Sequence, residues 1–471
     1  MSESKPIKNG LFLFHRDLRL QDNVGFLEAC KICDHLYTVF IFTTEQVGPR
    51  NDYKSNNAIQ FMVESLEELS NTIEKNGGKL MIMYEKNNEN ALFKIIDAIE
   101  NITDVFFNRD YTPYAIKRDE NVSKICEKKN IKVHTFSDYY LWEPGTVYTN
   151  PKKKDVYKKF TPFYDAVLHI PVEKPKTIRT FPSLGKSKVN VGDVSLEYVC
   201  KKMGLDENQN ILVHGGRTQG LQHLKRALQT QKDYGEKRDY FTYETTFLSA
   251  YLKFGCISVR EMFHAVKQKF GLDNELLRQL VWRDFFAHIL FKYQNDVLEK
   301  SWSPHYRQIP WSKNVSAFQK WCKGETGFPI VDACMRQLNT TGYMHNRGRM
   351  LVAHFLVKIL MIDWRWGEKY FARNLTDYDI ASNNGNWQAI VGGGVYSSPY
   401  FRVMNPWIQS KTYDPSAEFI KKWVPELNQL SPREIHHWND FAKKTEIDYP
   451  KPMTDYNEQK EKVLALYKKY I

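Results

Sequence analysis

Between residues 11 and 136, short apolar runs alternate with longer amphipathic ones, and this constrains the fold more than any other feature of the chain. Leu11 to Phe14, Tyr37 to Phe42, Leu80 to Tyr84, Asp104 to Phe107 and Lys132 to Thr135 read as strands, and intervening runs such as Ala58 to Glu74 carry helical spacing. A strand that reaches the next only through a helix pairs with it in parallel, and a parallel sheet needs cover on both faces. The expectation for residues 1–140 is a doubly wound α/β domain. Its first loop lacks G-x-G-x-x-G, so the usual dinucleotide fingerprint is absent. Asn108, Arg109, Asp110 and Tyr111 follow a strand end, where sheets of this kind bind ligands.

The pattern changes at about Trp142. Proline and lysine recur to Lys188, periodicity is poor, and a surface connection is expected over residues 141–191, with Lys152 to Lys154 as a solvated charge run. From about Gly192 helical patterns dominate, so residues 192–471 are expected to form an all-α domain. A chain of 471 residues fits that division into two domains, and 42% hydrophobic content excludes a disordered protein. The net charge of +12 favours an anionic partner, with nucleic acid ahead of an acidic membrane surface. Seven cysteines without framework spacing imply free thiols and a reducing compartment, and Cys30 and Cys33 read as core-facing rather than as a zinc or redox pair. With no signal peptide and no run of 18 apolar residues, a soluble intracellular protein is expected.

Within the helical half, the stretch from Gly327 to Gln388 sets Arg347, Arg349, Asp377, Asp379, Asn383, Asn384, Trp364 and Trp387 into an apolar framework. Polar groups buried there must satisfy one another or a bound ligand, so the stretch is either a cofactor pocket or a helical core with a structural ion pair. Upstream, Thr245, Thr246 and Ser249 precede an apolar helix, as an anion site or a plain N-cap would require. Gln279, Trp282 and Arg283 lie within one helical turn. Together they can stack on a base, bond its edge and hold its phosphate, or they form an amphipathic helix with its tryptophan in the core.

The runs MHNRGRM, DWR-x-GE and TDYDIASNNGNWQ resemble the flavin-binding core of the photolyase/cryptochrome family, closest to the DNA photolyases. The likeness extends from HRDLRLQDN at residues 15–23 to FRVMNP and WVPEL near the end. It implies a Rossmann-like antenna domain, a helical domain that binds FAD, and room for a second chromophore of folate, deazaflavin or flavin type. Tyr234, Thr245, Thr246 and Ser249 match cofactor-binding positions, with Arg238 at a further cofactor or DNA-backbone contact. Arg349, Asp377 and Asp379 match the ion pair and the acceptors for flavin N–H groups, and Asn383 the position facing flavin N5. A D-x-D pair can also hold a divalent metal, but no phosphate-transfer motif accompanies it. Trp387, Trp364 and Trp311 match an electron-hopping chain.

By the same resemblance the substrate is UV-damaged DNA, the protein is a monomer, and reduced flavin donates an electron under light to a flipped-out pyrimidine dimer. Gln279, Trp282, Asn346 and Met350 would line the lesion pocket, and Arg283, Arg347 and Arg402 would meet strand phosphates. Asn346 and Met350 favour cyclobutane dimers. Gln279 is the residue (6-4) enzymes carry, and Ala389 replaces an aromatic wall that Trp407 or Tyr396 would have to supply. The remaining alternative is a cryptochrome-type photoreceptor without repair.

Overall fold

The computed structural model describes residues 7–177, 181–184, 191–396 and 402–470. All five expected strands form, each longer than its sequence signal: β1 (Asn9–Phe14), β2 (His35–Thr43), β3 (Leu80–Glu85), β4 (Ile102–Asn108) and β5 (Lys132–Phe136). They pair in parallel in the order β3-β2-β1-β4-β5. Successive side chains point to opposite faces, so Leu11, Leu13, Val39, Met83 and Phe107 pack under the helices Asn88–Ala98 and Pro113–Lys128. The alternate set, Phe12, Phe14, Phe40, Phe42 and Phe106, packs on Phe26, Phe61 and Leu69 and runs on into Tyr251, Leu252 and Met262 of the helical half. One apolar layer thus serves both halves.

The described part of the connection over residues 141–191 holds regular elements. Its helix Phe160–Leu168 buries Phe160, Phe163 and Val167 against Val281, Phe285 and Ile289, and β6 (Ser183–Leu184) adds to the start of β2. Beyond it, Val331, Leu338, Leu351, Phe355, Phe371, Trp387 and Ile420 form the main helical core. No helix among the described residues is long and apolar enough to cross a membrane.

The HRDLRLQDN run docks the two halves. Arg19, 2% exposed, donates to both oxygens of Asp138, and Arg260 from the helical half donates to Asp138 and to Asp22. Beneath them Gly255 holds φ at +65°, and its carbonyl accepts from Arg19 at 3.0 Å. A Cβ at Gly255 would lie 2.6 Å from the Asp17 Cα and closer still to the Arg16 carbonyl. Gly255→Ala should therefore strain the backbone and push the halves apart, with an expected loss of about 1–3 kcal/mol in denaturant unfolding.

Candidate functional site

The short turn Thr376 to Asp379 sets two carboxylates at the start of the Ile380–Val391 helix. Asp379 caps that helix by accepting from Ser382 N at 2.9 Å, and its other oxygen takes Arg16 Nη1 at 3.2 Å. Asp377 Oδ2 accepts from Arg349 Nη2 at 2.9 Å and Ser249 Oγ at 2.7 Å. Burial works to raise both carboxyls, but Arg349 beside Asp377, and Arg16 with Arg283 beside Asp379, outweigh it and hold each below the usual range. With a guanidinium on each, the D-x-D pair is poorly suited to a metal cation.

Asp377 Oδ1 is buried without a hydrogen-bond partner. Deep in the helical half, Arg349 nonetheless keeps 25% side-chain exposure and Asp379 14%, as the walls of a cleft would. One turn into the helix, Asn383 donates its amide to Glu368 Oε1 at 2.9 Å and Glu368 O at 3.2 Å. Its amide oxygen takes no hydrogen bond among the described residues. The open positions on this wall are therefore acceptors, which fits the N–H edge of a flavin ring. Glu368, the E of DWR-x-GE, was quoted in the motif but not singled out; burial pushes its carboxyl up against hydrogen bonds from Asn383, Tyr53 and Tyr378.

Adjoining Asp377 through Ser249 is the loop before the Ser249–Lys253 helix. That helix is only five residues long, and its N-cap is Leu248, so the plain-cap reading of the hydroxyls fails. Thr245 Oγ1 instead lies 3.3 Å from the Tyr343 hydroxyl, whose ring sits 5.5 Å from the Arg349 guanidinium; Thr246 Oγ1 accepts from Leu248 N at 3.3 Å. Tyr234 packs under Arg238, which pairs with Glu275 at 2.9 Å. Asn384 is structural: it donates to Leu298 O and accepts from Gln388.

The DNA-contact candidates separate. Arg402 is exposed and forms no ion pair among the described residues, and Asn346 is exposed with its amide 4.0 Å from Met350 Sδ. Gln279 is half-buried and donates to Glu275 O at 3.3 Å. Arg283 and Arg347 both have partners within the chain. Arg283 turns inward to Tyr139 O at 2.6 Å and lies over the Tyr140 ring; Arg347 is buried in an ion pair with Asp239 and over Tyr413. Trp282 has one indole face covered by Phe160, with ring centroids 3.6 Å apart and planes 3° from parallel, so that face is closed to a base. Tyr396 donates to Gly385 O and packs on Phe285 and Phe286, and Trp407 packs on Phe328. Phe401, which opens the FRVMNP run, lies outside the described residues.

Trp387 and Trp364 are each 2% exposed, and Trp311 is half-buried. Ser312 N donates to Met361 O at 2.7 Å, which lays the segment carrying Trp311 beside the turn into Trp364. Ring neighbours of Trp387 are Phe371 at 5.1 Å and Trp321 at 6.5 Å, the latter a tryptophan that sequence reasoning did not single out. Gly367 lies under its indole, where a Cβ would come within 2.7 Å of Cζ3.

At the strand ends the polar side chains pair within the chain. Asn108 is spent on Asp17, Asn23 and Gly25, Arg109 and Tyr111 on Glu143, and Asp110 on Arg16. Beside them, His15 Nδ1 is buried without a partner, and the Lys253 ammonium lies over the Phe254 and Tyr378 rings, with no ion pair among the described residues. Burial lowers Lys253 to about 8 against the pull of Asp379.

A family model described as the FAD binding domain of DNA photolyase matches residues 276–469, and one described as DNA photolyase matches residues 10–180. A Buchnera aphidicola protein named deoxyribodipyrimidine photo-lyase is 35% identical, covering 98% of this chain and 97% of its own. The crystal structure of an archaeal photolyase from Sulfolobus tokodaii with two FAD molecules superposes with a TM-score of 0.87 at 38% identity, covering 98% of this chain and 100% of that one. A bacterial class III photolyase from Agrobacterium tumefaciens gives 0.90 at 30% identity, covering 100% and 99%. Agreement at that level along nearly the whole length leaves one assignment: the chain belongs to the DNA photolyase family.

Proposed function

We propose that the protein repairs cyclobutane pyrimidine dimers in UV-damaged DNA, using light and an FAD held between the Arg349–Asp377 pair and Asn383. The observation that carries the reading is the buried Asp377 Oδ1, which has no partner although Arg349 and Ser249 engage the other oxygen of the same carboxylate. FAD, when bound and reduced, supplies the single electron that splits the dimer under blue or near-ultraviolet light. Asp377 accepts a ring N–H while Arg349 and Ser249 hold its other oxygen in place. Glu368 turns the Asn383 oxygen toward the cleft, and Trp387, with Trp364 and Trp311 behind it, returns an electron to the site when the flavin is oxidised. Asn346 and Met350, a helical turn apart, face the flipped lesion with Gln279. Arg402 and Arg238 meet the strand.

Asp377→Asn keeps the shape but leaves Arg349 without its charge partner, so FAD affinity should fall by about 1.5–3 kcal/mol, the worth of hydrogen bonds to a charged group; equilibrium titration of apoprotein measures it. The function itself is tested with reduced protein, blue light and two oligonucleotides. Repair of the cyclobutane dimer and not of the (6-4) product is expected; the opposite preference would make Gln279, rather than Asn346 and Met350, the guide to the substrate.

A second chromophore of flavin type is proposed where His15, Arg16, Asp110 and Lys253 meet near the ends of β1 and β4. The support is the buried, unpartnered His15 Nδ1 there, together with the two FAD molecules of the Sulfolobus structure. Released flavin should then exceed one per chain in protein reconstituted with excess FAD.

A further inference from the structure

We propose that Lys358 is a positioning residue for DNA binding: its buried side chain fixes the backbone at Arg402 and so aims the Arg402 guanidinium at a strand phosphate. The proposal rests on the reading of this face as the DNA-binding one.

The helix Asn346–Lys358 carries Asn346, Met350, His354 and Lys358 at successive i, i+4 positions, on one stripe. Asn346 at its start is exposed, Met350 one turn on is half-buried, and its last turn is covered. His354 is 5% exposed and Lys358 3%, and Lys358 Nζ donates to the Arg402 carbonyl at 2.7 Å. A lysine is costly to bury, and an apolar side chain of similar length would fill the place with less desolvation. Burial, with the Arg402 guanidinium as the second cause, brings this ammonium down to about 7, and the neutral amine can still donate. The hydrogen bond is therefore kept across the neutral range.

What Lys358 holds is the point where the chain leaves the surface. Arg402 is exposed, Met404 is 3% exposed, and Asn405 caps the Pro406–Tyr413 helix by accepting from Trp407 N at 3.0 Å. The core and the cap fix the chain from Met404 onward, and Lys358 extends that order to Arg402 itself. A guanidinium held in place before DNA arrives loses less freedom on binding.

The test measures dissociation constants of the FAD-loaded protein for a duplex containing a cyclobutane dimer, across a salt series. It compares wild type, Lys358→Met, Arg402→Ala and the double variant. Lys358→Met should weaken binding several-fold, lower the salt slope by about one phosphate contact, leave the flavin absorbance unchanged and add nothing to Arg402→Ala. A purely structural role would instead lower the melting temperature and leave the salt slope alone. Wild-type binding by Lys358→Met, or effects that add in the double variant, overturns the role of Lys358 while leaving the DNA face intact. Wild-type binding by Arg402→Ala overturns both. If Lys358→Met does not fold, Lys358→Gln, too short to reach the Arg402 carbonyl, carries the same comparison.

Discussion

Trp387→Phe protein, reduced chemically, should repair a dimer as the wild type does, yet its oxidised flavin should lose nearly all photoreduction. The indole is enclosed by Phe371 and Trp321, with Gly367 beneath it, so phenylalanine keeps an aromatic wall while removing the more easily oxidised ring. Vacated volume should cost stability at the lower end of core truncations, about 1–3 kcal/mol, too little to empty the cleft. Flash absorption of the oxidised protein with an external reductant measures photoreduction, and an oligonucleotide assay on dithionite-reduced protein measures repair. Equal loss of both would show that Trp387 shapes the cleft rather than supplying electrons. The same assay on Trp321→Phe checks the route, because the one assigned through Trp364 leaves Trp321 without a part in photoreduction.

Removal of the Asp138 carboxylate should have the largest effect on stability. Its oxygens take Arg19 at 2.7 and 2.8 Å, Arg260 at 2.8 Å and Val24 N at 3.2 Å, and all three charged groups are buried. Asp138→Ala leaves the buried Arg19 guanidinium without a carboxylate and Arg260 with Asp22 alone, a change expected to cost about 3–5 kcal/mol in denaturant unfolding. The pH dependence has a definite sign. Burial works to raise the Asp138 carboxyl, but Arg19 and Arg260 hold it below 3.8, so its contribution is full above the unfolded value and is lost as pH falls through the folded one. The variant should therefore lose part of the wild type's acid-induced decline in stability. A cost below about 1 kcal/mol, the range of exposed pairs, would mean that the halves are held by apolar contact alone.

The sheet was legible because covering both faces of a parallel sheet leaves an apolar signal in every strand. The docking knot was not. Nothing local to Arg16, Arg19 and Asp22 marks them as buried, because their partners lie far along the chain: 119 residues separate Arg19 from Asp138, and 238 separate Asp22 from Arg260. Distance in sequence also hid the fate of Arg283 and Arg347, whose guanidinium groups suit a phosphate equally well until Tyr139 O and Asp239 are seen beside them. For Trp282 the ordinary expectation of core packing was the nearer one, and Phe160, the ring that covers it, comes from a segment whose prolines and lysines concealed a helix. At the cleft, the D-x-D spacing and the asparagine after it drew together residues that share one turn and the start of one helix. Glu368, which orients that asparagine, sat inside a motif whose tryptophan drew the attention.

The action spectrum of repair tests the central claim most directly. With protein reduced beforehand and single wavelengths of equal photon flux, the yield of restored thymines should follow the absorption of the bound reduced flavin and vanish in darkness. Repair in the dark, or no repair under light that the bound reduced flavin absorbs, would contradict the account.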